Sequence, residues 1–350
     1  MFVVATILYL LSFALCFIED RLPRAVRVSA LLLMAMVMIG MSTLKDIDTT
    51  ADALTYVEYF TNNDDPLIEL MTEPTFIYLS RLLIALGLGI EVLFFIYAVV
   101  AIPNKLAVIT RLTPFAFTAM LIYVPAYYLL QDVIQIRAGA ATSFLLVSLY
   151  LSCEKRHFWA SLAFLAAILC HYSAIVYFPV LIWANRSLSL PLRLVLGSLV
   201  PIGFALYFMG MDLLSFLPSS LTEGKLDFYK ESAETGDGWS SYTEPHKKIY
   251  LLAKCALLLI CLLFYGTISE RNKYVPSCLL MLAASIFVSI TMARIPVIAG
   301  RVGDLYGITD AVSFTFCLYF IRPAWLVRVG IALLGLWVMW LYYNSGSFVV

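Results

Sequence analysis

Charge is what this 350-residue sequence has least of: 13% of its residues are Asp, Glu, Lys or Arg, against about 25% in a soluble domain. The 23 basic and 23 acidic residues cancel, which excludes the basic footprint of a nucleic-acid binder. There is no P-loop, GxSxG, HExxH or Gly-rich dinucleotide motif, so nucleotide, serine-hydrolase and zinc-protease chemistry has nothing to rest on. The seven cysteines (Cys16, Cys153, Cys170, Cys255, Cys261, Cys278 and Cys317) are odd in number and form no CxxC. They read as small buried hydrophobes, not as a disulfide frame or a metal site. Low-complexity tracts, Pro-rich linkers and internal repeats are also missing, so residues 1–350 read as a single domain.

What is abundant is apolar surface: 62% of residues are hydrophobic and 14% aromatic, with a mean hydropathy of +0.92. No soluble fold of this length hides so much. Apolar runs long enough to span a bilayer lie near 2–18, 27–44, 113–130, 134–152, 192–210, 249–266, 275–293, 304–320 and 324–343. The first run has no preceding basic residue and no small-residue cleavage site after it, so it reads as a span and not a signal peptide. Segment 75–109 is too long for one simple span and carries Gly87 and Gly89 as a break; segment 157–184 is long too, with His171 near its middle. Backbone groups in lipid must bond internally. The expectation is an all-α polytopic membrane protein with about 11–12 transmembrane helices.

Orientation follows the short basic links. Arg21–Arg27, Lys105–Arg111, Lys155–Arg156, Arg186–Arg193, Arg271–Lys273 and Arg322–Arg328 are expected in the cytoplasm. Segment 45–73 sets eight carboxylates against Lys45 alone and is expected outside, as is the long loop 211–248. This arrangement requires 75–109 to cross an odd number of times, as one long tilted helix or as one span plus a re-entrant piece.

Charges at span ends are the candidate functional residues, because a cation at membrane depth costs roughly 2.5–3.5 kcal/mol on insertion scales. Arg137 opens the 134–152 span and is followed by small residues, Ala138-Gly-Ala-Ala141, that let a bulky head group approach. A guanidinium fork matches phosphate oxygens; the alternative is a snorkelling interfacial Arg. Gln131, Asp132 and Gln135 add polar groups on the same approach. His171, beside Tyr172 and Ser173, is a candidate phosphate donor or general base, or else caps a helix break. Arg294 and Arg301 bracket a Pro- and Gly-containing turn and are candidate ligand cations, unless Arg301 pairs with Asp304. In the acidic segment, Asp52 and Glu73 are the candidate bases for a sugar hydroxyl, and Tyr56 joins Trp239 of the second loop as a sugar-stacking ring; the alternative for the segment as a whole is a solvated acidic loop that only sets topology. Arg81 needs a partner, with Glu73 or a ligand phosphate as candidates.

The order of these pieces resembles the EpsG family of bacterial Wzy-like polysaccharide polymerases. The resemblance is carried by Asp52-Ala-Leu-Thr-Tyr56, Glu73-Pro-Thr-Phe76, Ile136-Arg137-Ala-Gly139-Ala-Ala141 (similar to an Arg-x-Gly-x-Ala run), Glu154-Lys-Arg156 with Phe158, and His171-Tyr-Ser173-Ala174 (similar to His-x-Ser-Ala). The late Arg294 and Arg301 look like the family's C-terminal arginines. The chain departs at Ala138, where Gln is more usual. The resemblance implies an inner-membrane glycosyltransferase that joins repeat units carried on undecaprenyl diphosphate at the periplasmic face, making O-antigen or exopolysaccharide. Arg137, Arg294, Arg301 and Arg81 would hold the diphosphate, with Arg137, His171, Asp52 and Glu73 as the catalytic set and Gln135, Tyr56, Tyr172 and Trp239 touching substrate. No metal or cofactor is expected. The partners implied are lipid-linked oligosaccharides and membrane lipid, with a flippase and a chain-length regulator as further candidates. A glycan transporter or flippase, a ligase and a membrane acyltransferase are the rival readings.

Overall fold

A computed structural model of the chain describes residues 2–184, 186–211 and 246–344. Among the described residues every regular element is helical. Six helices are long and apolar enough to cross a bilayer, and six shorter apolar helices accompany them. The chain is an all-α polytopic membrane protein. It divides into two compact units, Met1–Ile182 with Ile321–Val350, and Trp183–Phe320.

The first unit opens with α1 (Phe2–Cys16) and α2 (Arg24–Thr43), followed by α3 (Ala53–Thr61) and α4 (Pro66–Met71) in the acidic segment. The 75–109 stretch becomes two helices, α5 (Pro74–Ala85) and α6 (Ile90–Leu112). They are parted where expected, at Gly87, whose φ of 68° suits a residue without a Cβ. By length α6 can span and the twelve-residue α5 cannot, at about 1.5 Å per residue.

Next come α7 (Ala116–Ile122) and, continuing from it, a π-helix over Tyr123–Ile134; together they are wholly buried. A π-helix of twelve residues is unusual, since such turns mostly occur singly and often at functional sites. After a joint at Gln135, α8 (Ile136–Cys153) and α9 (His157–Cys170) run antiparallel, then a 3₁₀ turn (Tyr172–Tyr177) leads to α10 (Phe178–Trp183).

The helix running Ala324–Asn344 closes the first unit. It packs so closely that a Cβ on its Gly335 would overlap the Leu121 carbonyl oxygen of α7. At the end of this unit where α1 meets α2, Glu19 accepts from the Phe117 and Thr118 amides at 2.9 and 3.3 Å and lies 3.6 Å from Arg328. Burial outweighs these contacts and pushes the Glu19 carboxyl up to about 7. Arg111 stacks on Tyr150 at the same end, and Arg27 reaches the Pro114 carbonyl there at 3.1 Å.

One basic link is corrected. Lys105 is not in a connection; it sits inside α6, fully buried, with its ammonium 2.6 Å from Asp132. A lysine flanked by apolar residues gives the same local pattern as a helix end, and only the partner across the fold tells them apart.

The second unit contains α11 (Leu190–Phe208), α12 (His246–Leu263), α13 (Tyr265–Ser269), α14 (Val275–Thr291), α15 (Pro296–Gly307) and α16 (Asp310–Thr315). The expected span 304–320 is broken after Gly307. Asp310 there faces Lys254 of α12 at 2.9 Å, and Lys254 also donates to Ser285 of α14 at 2.6 Å. The helix is interrupted where a buried carboxylate answers a buried ammonium. Six of the seven cysteines are buried and all seven are free.

Candidate active site

Three separated segments bring Glu73, Arg137 and His171 together. Glu73 is extended, with φ −74° and ψ 151°, as a residue before proline must be. Pro74 starts α5, where its missing N–H costs nothing. The Glu73 carbonyl accepts from the Phe76 and Ile77 amides, but its side chain makes no cap bond and is free to turn elsewhere. Thr75 ties this turn to the end of α9, donating to the Leu169 carbonyl at 3.0 Å and contacting the Tyr97 hydroxyl at 3.1 Å. His171 follows immediately. Its own backbone is satisfied by Ala167 and Ala174, so its ring does not cap the helix break.

The Glu73 carboxylate spans both partners. Oε2 accepts from Arg137 Nη1 at 2.5 Å, and Oε1 meets His171 Nδ1 at 2.5 Å. The carboxylate side chain is 6% exposed, while Arg137 and His171 each keep 18%. The guanidinium lies among the rings of Tyr56, Tyr59 and Phe76, 5.5 to 6.0 Å from their centres, and the Tyr56 hydroxyl bonds to it. Such placement holds the guanidinium plane by cation–π attraction. Burial alone would raise the Glu73 carboxyl; the His171 bond and the Arg137 charge win and hold it down at about 2. Glu73 is therefore a permanent carboxylate at any physiological pH. Tyr56 is pushed the other way by burial, up to about 12, so it stays a neutral phenol.

Lys45 also lies near the Tyr56 ring. It is 6% exposed, sits 3.8 Å from the centre of Phe94 and 5.7 Å from that of Tyr56, and donates to the Val133 carbonyl at 2.7 Å. Burial lowers it to about 7 despite the opposite pull of Asp52. Asp52 itself takes the left-handed conformation at φ 63°, which Asp tolerates better than most residues. Sequence reasoning took Lys45 only as the lone base of an acidic segment; its depth gave no local signal.

The remaining candidates fall in different places. Arg81 is paired not with Glu73 but with Glu69 at 2.8 Å and Asp64 at 3.5 Å, and it reaches the Asn63 carbonyl. Gln131 and Asp132 do not line an approach to Arg137: they are 1% and 2% exposed and face Lys105. Gln135 is half-buried at the joint before α8, and Tyr172 is 50% exposed beside His171. Arg294 and Arg301 belong to the second unit, where Arg294 is exposed and lies against Tyr207. Trp239 and nearly all of loop 211–248 lie outside the described residues.

Gly139 accounts for one motif position. A Cβ there would overlap the Gln131 carbonyl oxygen and come 2.8 Å from Asp132 Oδ1. The glycine of the Arg-x-Gly run lets α8 seat against the end of the π-helix, two residues beyond Arg137.

A model of the EpsG family matches residues 28–348, nearly the whole chain. The chain belongs to the EpsG family. EpsG proteins are Wzy-like polymerases of the exopolysaccharide type, and the multi-pass helical fold agrees with that class. No curated protein and no solved structure matches the chain.

Proposed function

We propose that this EpsG-family protein is a bacterial inner-membrane glycosyltransferase that joins repeat units carried on undecaprenyl diphosphate, with Arg137, Glu73 and His171 as its reaction centre. The single observation that carries this reading is the carboxylate of Glu73 shared between a guanidinium and an imidazole, drawn from three segments and still partly open to ligand. A buried ion pair needs no histidine, and a helix-end histidine needs no arginine.

In this mechanism Glu73 is not the base. Its two neighbours hold it ionised, and it orients both. It fixes the His171 ring through Nδ1, leaving Nε2 to accept the proton of an acceptor sugar hydroxyl. The hydroxyl oxygen forms a bond to the anomeric carbon of the donor, the bond from that carbon to the diphosphate breaks, and the electron pair leaves with the lipid diphosphate. The remaining N–H groups of Arg137 meet the charge that grows on that leaving group. Tyr172, Gln135 and Asp52 are the proposed sugar contacts, with Asp52 close to the phenol of Tyr56.

The site faces the periplasm in this reading. What supports it is the segregation of charge along the first unit: Arg24, Arg27, Arg111, Lys155 and Arg156 gather at the helix ends remote from Arg137, as basic residues do on the cytoplasmic side.

The test is complementation of a strain lacking the gene. Wild-type protein restores long polymer. Arg137→Ala and His171→Asn insert in the membrane at normal amounts and leave single lipid-linked repeat units to accumulate. Normal polymer from either variant removes that residue from the mechanism.

A further inference from the structure

Two lysines that the mechanism does not use enclose the last turn of the π-helix. Lys105 comes from the middle of α6 and is fully buried. Its ammonium lies 2.6 Å from Asp132 Oδ1 and 3.2 Å from Gln131 Oε1. Lys45, from beyond the end of α2, takes the Val133 carbonyl. Three consecutive residues, 131 to 133, are thus each gripped by an ammonium. Other bonds fasten the same turn. The Tyr123 hydroxyl donates to Asp132 Oδ2 at 2.7 Å, from the start of the π-helix. Thr142 of α8 donates to Gln131 Oε1 at 2.9 Å.

Stability does not explain this arrangement. Taking an ammonium and a carboxylate out of water costs several kcal/mol per ion, and apolar residues of the same volume are often as good or better. What an ion pair does supply is a fixed register. The wider turn of a π-helix needs such fixing, because its hydrogen bonds compete with ordinary α-helical ones one residue away. A slip of one residue at 131–133 would turn the following joint, and α8 with it.

We infer that Lys105 and Lys45 are positioning residues that hold the end of the π-helix in register and so place Arg137 on Glu73. This inference rests on the reaction centre proposed above. The chain of contact is short: Gly139 seats α8 directly on the Gln131 carbonyl and the Asp132 carboxylate, and Arg137 lies half a turn before it. Only Gln135 and Ile136 separate the gripped turn and its last residue, Ile134, from the guanidinium.

The experiment measures initial polymerisation rate in membranes for a double variant, Lys105→Met with Asp132→Leu, which removes the ion pair and leaves no charge unpaired. Thr142→Val, which cuts the Gln131 link together with the hydroxyl's contacts to the Ala138 and Gly139 carbonyls of its own helix and carries no charge, provides an independent arm. Each is combined with Arg137→Lys, which retains a cation and removes the guanidinium fork. The expected result is a rate at least tenfold below wild type for the double variant and about threefold below for Thr142→Val, at unchanged thermal stability, with KM for the lipid-linked unit rising. Both losses vanish in the Arg137→Lys background, where the guanidinium fork is already gone. A general packing role would give losses that multiply with Arg137→Lys instead, and that outcome overturns the inference. Wild-type rate in Thr142→Val and the double variant also overturns it. If Arg137→Lys itself polymerises at the wild-type rate, the reaction centre fails first and takes the inference with it; full loss there, with normal activity in the lysine and threonine variants, leaves the centre standing alone.

Discussion

Replacing Glu73 by Gln is the sharpest perturbation of the site. The substitution keeps the shape and removes one charge. Two charge-assisted hydrogen bonds, each 2.5 Å long, change character. Hydrogen bonds to a charged group contribute roughly 1.5–3 kcal/mol apiece. If both are needed in the transition state, the loss is about 3–6 kcal/mol, or roughly 10²- to 10⁴-fold in rate. The folded protein loses stability as well. Glu73 is held at about 2 from an ordinary value of 4.5, a depression worth about 3 kcal/mol at about 1.4 kcal/mol per unit. The sign follows from the lower folded value: that stabilisation is complete above pH 4.5 and is lost as pH falls through about 2. Initial rates with lipid-linked repeat units, measured from pH 4 to 9 in membranes, decide the matter. Because Glu73 stays ionised throughout that window, Glu73→Gln lowers the plateau and leaves any acid limb in place. A variant that keeps the plateau and loses the limb would make Glu73 the base and refute the assigned roles. A wild-type rate at every pH would refute the constellation itself.

Three further outcomes follow. His171→Gln should cost about 10²- to 10⁴-fold in rate, the usual share of a general base, while the protein still inserts; lipid-linked oligosaccharide profiles read this directly. Gly139→Ala should lower the melting temperature in detergent by an amount equal to about 1–3 kcal/mol of overpacking and cut the rate at least tenfold, whereas Gly40→Ala, which meets nothing within 4 Å, should be neutral or stabilising by up to about 1 kcal/mol. Arg81→Ala should leave the melting temperature in detergent unchanged, since its pairs with Asp64 and Glu69 are exposed, and should leave polymer length within twofold; loss of polymer there would give Arg81 a direct contact with the diphosphate.

The fold class and the residues that meet at Glu73 were legible for different reasons. Composition alone forces a membrane, and the proline after Glu73, the glycine pair at 87 and 89 and the polar break at His171 each mark a helix end through local backbone rules. Arg137 stood out because a charge in an apolar run is costly. Partnerships were not legible, because a partner is chosen by the three-dimensional path and not by the neighbours in sequence. Arg81 thus went to Glu69 instead of Glu73, and Asp132 turned inward to Lys105 instead of outward to ligand. The same blindness hid Lys45 and Lys105, which look like residues of links when read one position at a time. The consequence is specific. A cation in an apolar run has two ways to meet its cost: a carboxylate supplied by the protein, or an anion supplied by the ligand. Lys105 and Lys254 take the first way and are sealed. Arg137 takes its carboxylate yet keeps part of its surface open, and it shares that carboxylate with a histidine. Of these three buried-span cations, only Arg137 has an arrangement that leaves something for a substrate to complete.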